Sequence, residues 1–164
     1  SFMLAAAMNP CPCGFYPDMN RCRCTSGEIT HYLGKISQPL LERIDICTEV
    51  PAVSFSKMKK KIAGESSAQI RKRVEAVQEI QRERYKKEKF CFNGELDGRK
   101  LEKYCVMTGG ADKLLEQFQF STRAYHKILK TARTIADMES SEKIKEEHIC
   151  EALTYRAYDK KYWS

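Results

Sequence analysis

The stretch "GESSAQIRKRVEAVQEIQRERY", residues 64–85, decides the fold class. Ser66 stands three residues before Gln69, the spacing of a capping box in which each side chain satisfies the other's free backbone N–H. Ile70, Val74, Val77 and Ile80 then recur at helical spacing, while Arg71, Lys72, Arg82 and Lys86 lie mostly off that stripe. A long amphipathic helix is therefore expected from residue 66. Downstream, "LDGRKLEKYCVM", "ADKLLEQFQF", "STRAYHKILKTARTIADME" and "KEEHICEALTYRAYDKKYW" each carry helical apolar spacing between Gly, Ser and Asn breaks, and predict about four more helices. Upstream, "AVSFSKMKKKIAGE" is polar and basic, and marks a boundary between this helical part and a different texture before it. The expected division is an N-terminal part at 1–51, a basic linker at 52–65 and a helical domain at 66–164.

Charge sharpens that division. Residues 57–89 hold twelve Lys or Arg against five Asp or Glu, a surplus of seven that equals the net charge of +7 for all 164 residues. Lys57, Lys59, Lys60, Lys61, Arg71 and Lys72 are candidates to follow a phosphate backbone, and a solvated basic linker and helix face is the plain alternative. Hydrophobic residues make up 42% of the chain, enough for a core, and no run approaches the ~18 apolar residues of a membrane span. The absence of a secretory pattern and the scatter of Cys47, Cys91, Cys105 and Cys150 as single, packed thiols point to a reducing, cytoplasmic setting. The opening "SFMLAAAMNP" has no initiator methionine before its apolar run, and reads as the start of a piece of a longer protein.

Residues 1–51 read as α/β. "FMLAAAM" (2–8) is a continuous apolar run ending at a turn signal, as a strand covered on both faces would be. Thr25 and Glu28 form another capping pattern, Pro39 suits a first helical turn that closes at Arg43, and "IDICTEV" (44–50) alternates like a second strand. Between them, Cys11-Pro-Cys13 and Cys22-Arg-Cys24 flank a turn-rich spacer. Four thiolates suit a tetrahedral structural zinc, which would staple a loop that has little apolar content of its own. A reduced, metal-free loop is the alternative, and redox pairing is disfavoured because neither pair is Cys-x-x-Cys.

Three other residues invite roles. Asn9 falls at a strand end, where open α/β sheets place ligand contacts, or else forms a turn before Pro10. Arg43 can reach a phosphate or pair with Glu42 or Asp45. Arg123 follows the N-cap Ser121, where a cation opposes the helix dipole by about 0.3–1 kcal/mol, so its placement suggests use toward an anion. His31, His126 and His148 lie in helical patterns without local Cys or Asp partners and read as exposed or packed residues.

Taken in order, "LAAAMNPCPCG", "SQPLLERIDICTEVP", "GESSAQIRKRV", "STRAYHKILKTARTIADME" and "EEHICEALTYRAYD" resemble the C-terminal part of the magnesium-chelatase-like AAA+ ATPases, in the ComM/YifB subgroup. The resemblance implies a mainly α chain: a helical AAA+ lid bundle preceded by a partial α/β core remnant of two short strands with a zinc-type cysteine loop. It implies that Asn9 is the sensor-1 residue that helps place the attacking water. Arg43 corresponds to the arginine finger offered to a neighbouring subunit's ATP, and Arg123 to the sensor-2 arginine of the lid. ATP and Mg2+ would be the parent's ligands, a hexameric ring its assembly and DNA its substrate, with branch migration as the task.

The sequence holds no G-x-x-x-x-G-K-[ST] and no apolar strand ending in paired acids, so this piece alone is not expected to hydrolyse ATP. Glu42 replaces a frequent Asp and Gln38 a frequent Gly of the family. The two strands flank a missing central strand in the family's sheet, so their edges are expected to be unpaired, and to join each other or a second copy. Two other functions fit the residues: a non-enzymatic zinc module that binds nucleic acid, and the ATPase subunit of a magnesium chelatase.

Overall fold

The computed structural model describes residues 3–51 and 64–156. Seven α-helices form among them: α1 (Ser26–Leu33), α2 (Gln38–Leu41), α3 (Ser67–Tyr85), α4 (Gly98–Tyr104), α5 (Gly109–Glu116), α6 (Thr122–Met138) and α7 (Glu146–Thr154). The four helices expected after the long one are all present. The linker expected at 52–65 lies, except for Gly64 and Glu65, outside the described residues.

The caps explain where the helices start. Thr25 Oγ1 accepts the Glu28 N–H at 3.3 Å while Glu28 Oε2 accepts the Thr25 N–H at 2.7 Å, and Ser66 and Gln69 repeat the exchange at 3.3 and 2.8 Å. Helix α6 ends in a left-handed turn: Ser140 has φ 54°, Ser141 N–H donates to Ala136 O at 2.8 Å and Ser140 N–H to Asp137 O at 3.0 Å.

Helix α6 is the axis of the bundle. It packs against α3, α4, α7 and the 3-10 turn Asn93–Glu95, while α5 leans on α7. Ile128, Leu129, Ala132, Ile135 and Ala136 are buried at helical spacing along it, meeting Leu101, Ile144 and Ile149. Each buried Leu or Ile contributes about 1.5–3 kcal/mol by leaving water. Among the described residues an isolated parallel bridge, Met107 with Ile144, clips the loop before α5 to the loop before α7.

The same core contains a closed polar network. Asp137 accepts from Arg84 Nη1 at 2.8 Å, from Arg133 Nε at 3.1 Å and from Asn93 Nδ2 at 2.9 Å. Arg133 spends its other donors on the Glu142 and Ser141 carbonyls beyond α6. Tyr85 Oη donates to Asn93 Oδ1 at 2.6 Å, and Gln81 Oε1 accepts the Asn93 N–H at 3.0 Å. Among the described residues no buried side-chain polar atom lacks a partner, so these charges sit inside without an unmet desolvation cost.

Two expectations fail. The stripe of α3 is turned: Val77, Gln81 and Tyr85 are buried, whereas Ile70, Val74 and Ile80 are 42%, 46% and 36% exposed. The face of α3 that α6 and the 3-10 turn can reach is the one carrying Gln81, because that side chain holds the Asn93 backbone. The apolar residues of the first turns project past the bundle.

The two strands of the expected core remnant do not form among the described residues. Residues 3–8 form no regular element and are exposed, and residues 44–50 make no ladder either with them or with any other described segment. An extended segment becomes a strand only by pairing with another strand's N–H and C=O groups, and no described segment offers these two such a partner. The expected pairing of the two with each other is thereby corrected.

Candidate nucleotide-facing edge and cysteine centre

The cysteine loop is shaped by local turns. Gly14 takes φ +81° and its N–H closes a turn on Cys11 O at 3.0 Å, a conformation that suits glycine. A second turn at Asp18, whose carbonyl accepts from Arg21 N at 3.1 Å and Cys22 N at 2.8 Å, brings Cys22 back against Cys11. The Arg21 guanidinium covers Phe15 at 4.1 Å from the ring centre.

The result gathers all four predicted thiols. Sγ separations are 3.3 Å for Cys11–Cys13, 3.8 Å for Cys11–Cys22 and 3.5 Å for Cys13–Cys22, and all four Sγ atoms, including Cys24, lie within 4.8 Å of one another. A tetrahedral ion held by four thiolates at ~2.3 Å requires S···S edges of about 3.8 Å, so the donor set matches such an ion in number, type and spacing. Hydrogen bonds from the Phe15 and Arg23 backbone draw the Cys13 thiol down to about 6. Cys24, although a backbone bond at Cys13 lowers it, is pushed up to about 12 by burial and by its neighbouring thiols. Four thiolates this close cannot all ionise without a cation among them. The remaining cysteines are more varied than expected: Cys105 is buried, Cys47 half-buried, and Cys91 and Cys150 are exposed.

Asn9 is exposed, immediately before this loop. Its amide lies over the first turn, so that a Cβ added at Gly14 would stand 3.6 Å from Asn9 Nδ2. The turn reading and the ligand reading of Asn9 are thus compatible: the residue is on the surface, beside the cysteine centre.

The segment carrying Arg43 is tied to the start of α6, which carries Arg123. Pro39 opens α2, whose short length leaves Arg43 just beyond it, and Arg43 Nη1 donates to Pro39 O at 2.6 Å. The ion pairs foreseen for Arg43 are made by other residues: Glu42 takes Arg123 at 3.5 Å and Asp45 takes Lys127 at 2.6 Å. Arg123 and Lys127 lie one turn apart on α6 and so present one face, against acids three residues apart on the facing segment. Lys127 Nζ also donates to Arg43 O, Arg156 Nη1 donates to Ile44 O at 3.0 Å, and the Cys47 N–H to Tyr155 O at 2.9 Å. Ser121 Oγ caps the helix, accepting from Ala124 N at 3.2 Å. Arg123 itself remains half exposed, with 52% of its side chain accessible.

Sequence reasoning missed Lys127, Arg156, Glu42 and Asp45 as a group, because their partners lie more than eighty positions apart. It also missed the Arg84–Arg133–Asp137 network, for which an Arg and Asp at i, i+4 inside the apolar run of α6 was the available signal.

The remaining candidates are simpler. His31 is exposed and His148 is buried, with Nδ1 accepting from Lys145 N at 3.0 Å and Nε2 2.9 Å from Glu139, a helix-capping duty. Arg71 and Lys72 are exposed on the first turns of α3, while Lys57, Lys59, Lys60 and Lys61 lie outside the described residues. No helix among the described residues is long and apolar enough to cross a membrane.

Residues 64–156 match the family described as magnesium chelatase, subunit ChlI C-terminal, and residues 1–58 match magnesium chelatase, subunit ChlI. The chain is 41% identical over 164 residues to the uncharacterized protein YifB of Salmonella typhimurium, which covers 97% of this chain and 31% of that protein. It is 39% identical over 161 residues to the competence protein ComM of Haemophilus influenzae, covering 95% of this chain and 31% of ComM. The uncharacterized protein YifB of Escherichia coli is 38% identical, with 97% of this chain and 31% of that protein covered. The chain therefore spans about a third of the length of these relatives.

Proposed function

The chain belongs to the magnesium-chelatase ChlI family, of the ComM and YifB kind, and from that premise we propose that it is the sensor and lid portion of a larger AAA+ ATPase that remodels DNA. The observation that carries the reading is the ion pair between Glu42 and Arg123, which ties the segment carrying Arg43 to the helix carrying Arg123 across some eighty residues. Phosphoryl transfer needs positioned charge more than covalent help, and arginines on segments tied in this way are suited to a transferring phosphate. Arg43 acts on the ATP of the adjoining subunit in a ring, Arg123 binds phosphate from the lid, and Asn9 orients water. ATP and Mg2+ are held by the rest of the protein, since this sequence carries no phosphate-binding glycine loop.

The four-cysteine centre takes one structural Zn2+, held by Cys11, Cys13, Cys22 and Cys24, and fixes the loop next to Asn9. DNA as substrate is supported by the likeness to a competence protein and by the exposed Arg71 and Lys72 on α3, continuous in sequence with the basic run before it.

The test is ATP turnover by the complete protein, with and without branched DNA. Turnover that DNA stimulates, and that Arg43→Ala and Arg123→Ala each reduce on the order of a thousandfold, is the expected outcome. Turnover indifferent to DNA returns the protein to the magnesium-chelatase reaction. No turnover leaves a metal-stapled binding module.

A further inference from the structure

We propose that Lys127 is a positioning residue for Arg43: it clamps the backbone of the finger segment to the lid, so that the finger moves with α6. The proposal rests on the reading of Arg43 as a finger, and deepens it.

The geometry of Lys127 is unusual for a lysine. Only 14% of its side chain is accessible, although it lies in the first turns of a helix at the edge of the bundle. Its ammonium is occupied twice by the facing segment, at the carbonyl of Arg43 itself and at Asp45 Oδ1, 2.6 Å away. A lysine that covers its stem and aims its charge at a backbone carbonyl fixes that peptide in place. The flanking residues extend the grip on both sides. Arg123 holds Glu42 before the finger, while Arg156 holds Ile44 O and Tyr155 O accepts the Cys47 N–H after it.

On the near side only Leu41, buried at the end of α2, anchors the segment by packing. Helix α2 is one turn long, and Arg43 N and Ile44 N complete only the short turns that follow it, to Leu40 O and Leu41 O at 2.9 and 3.0 Å. Ile46 and Val50 beyond the clamp are 54% and 85% exposed, so no apolar packing anchors that side. From Arg43 onward, the polar hold on the backbone comes from α6 and the residues just after α7. Any rotation of the helical bundle is transmitted to the finger backbone through Lys127, and the side chain of Arg43, resting on Pro39 O, is free to leave for a phosphate without breaking the clamp.

The experiment uses the complete protein with Lys127→Met, which keeps the stem and removes the charge, together with Lys127→Arg and Asp45→Asn. Two quantities are read: steady-state ATP turnover, and hydrogen exchange of the Cys47 amide. Loss of finger placement is expected to lower kcat about ten- to a hundredfold with KM unchanged, since about 1 Å of misplacement has that scale of effect. Exchange at Cys47 is expected to accelerate in Lys127→Met, and Lys127→Arg to restore both readouts in part, with Asp45→Asn falling between. Unchanged kcat in an active protein, or unchanged exchange at Cys47, overturns the proposal. A wild-type protein without ATP turnover defeats the motor reading instead, and the exchange result alone then decides whether Lys127 holds the segment.

Discussion

The helical bundle and the N-terminal segment solve opposite problems. In the bundle, Arg133 and Asp137 are each 1% exposed, charges carried inside a core that supplies every partner they need. At the two ends of residues 3–51 the reverse holds: Met3 is 93% and Val50 85% exposed, apolar groups that no described segment covers. A region that contains its own partners buries even guanidinium groups. A segment without such partners among the described residues leaves its apolar groups in water. Between the extremes stands the cysteine loop, which closes on itself through thiols rather than through a core.

The contrast breaks most visibly at Asp137. Asp137→Ala leaves Arg133 buried without its carboxylate and frees Arg84 and Asn93 as well. Removal of one partner from a buried ion pair costs about 3–5 kcal/mol, a large part of a domain's stability. Urea denaturation followed by helical signal is expected to show that loss, and a double Arg133→Met, Asp137→Leu variant to recover part of it. A loss under about 1 kcal/mol would mean that the bundle does not depend on its internal charges.

A smaller and more local effect is expected at the cysteine centre. Metal binding contributes folding energy to loops that lack a core, so Cys22→Ser should abolish a stoichiometry of about one zinc per chain and open residues 11–24 to protease. The bundle shares no residue with this loop, so its unfolding midpoint is expected to stay put. A midpoint that falls with zinc loss would show that the two regions are one cooperative unit.

How far the sequence could be read follows the same division. The caps at Thr25, Ser66 and Ser121, the helices after residue 66 and the four clustered thiols were all legible, because each depends on residues a few positions apart. Arg43 and Arg123 could be singled out, but not joined: what unites them is Glu42, whose choice of partner is made by tertiary packing. The apolar stripe of α3 misled for a related reason. Periodicity marks Ile70 and Val74 as a face, yet the bundle docks the face carrying Gln81, whose amide oxygen holds a buried backbone N–H. The two strands misled because an apolar run fixes neither the existence nor the place of the strand it must pair with, which is a tertiary matter.

The smallest effect distinguishes inner from outer charge within the bundle. Glu88, just past α3, accepts from Lys100, from Tyr104 Oη at 2.6 Å and from Lys103 at 3.2 Å, tying α3 to α4 at the surface. The Lys100 ammonium, with Tyr104 and Lys103, holds its carboxyl down to about 2. An unfolded Glu titrates near about 4.3. Below that pH the unfolded chain takes up a proton that the folded chain refuses until about 2, so the stabilisation from Glu88 is fully present above the unfolded value and is lost as pH falls toward the folded one. Glu88→Gln should therefore be less stable than wild type at neutral pH, with the gap constant down to about pH 5 and closing between there and about pH 2. Thermal melts of the two proteins across that range measure it. A gap that persists to about pH 2 would mean that the Gln variant loses packing between α3 and α4 rather than charge.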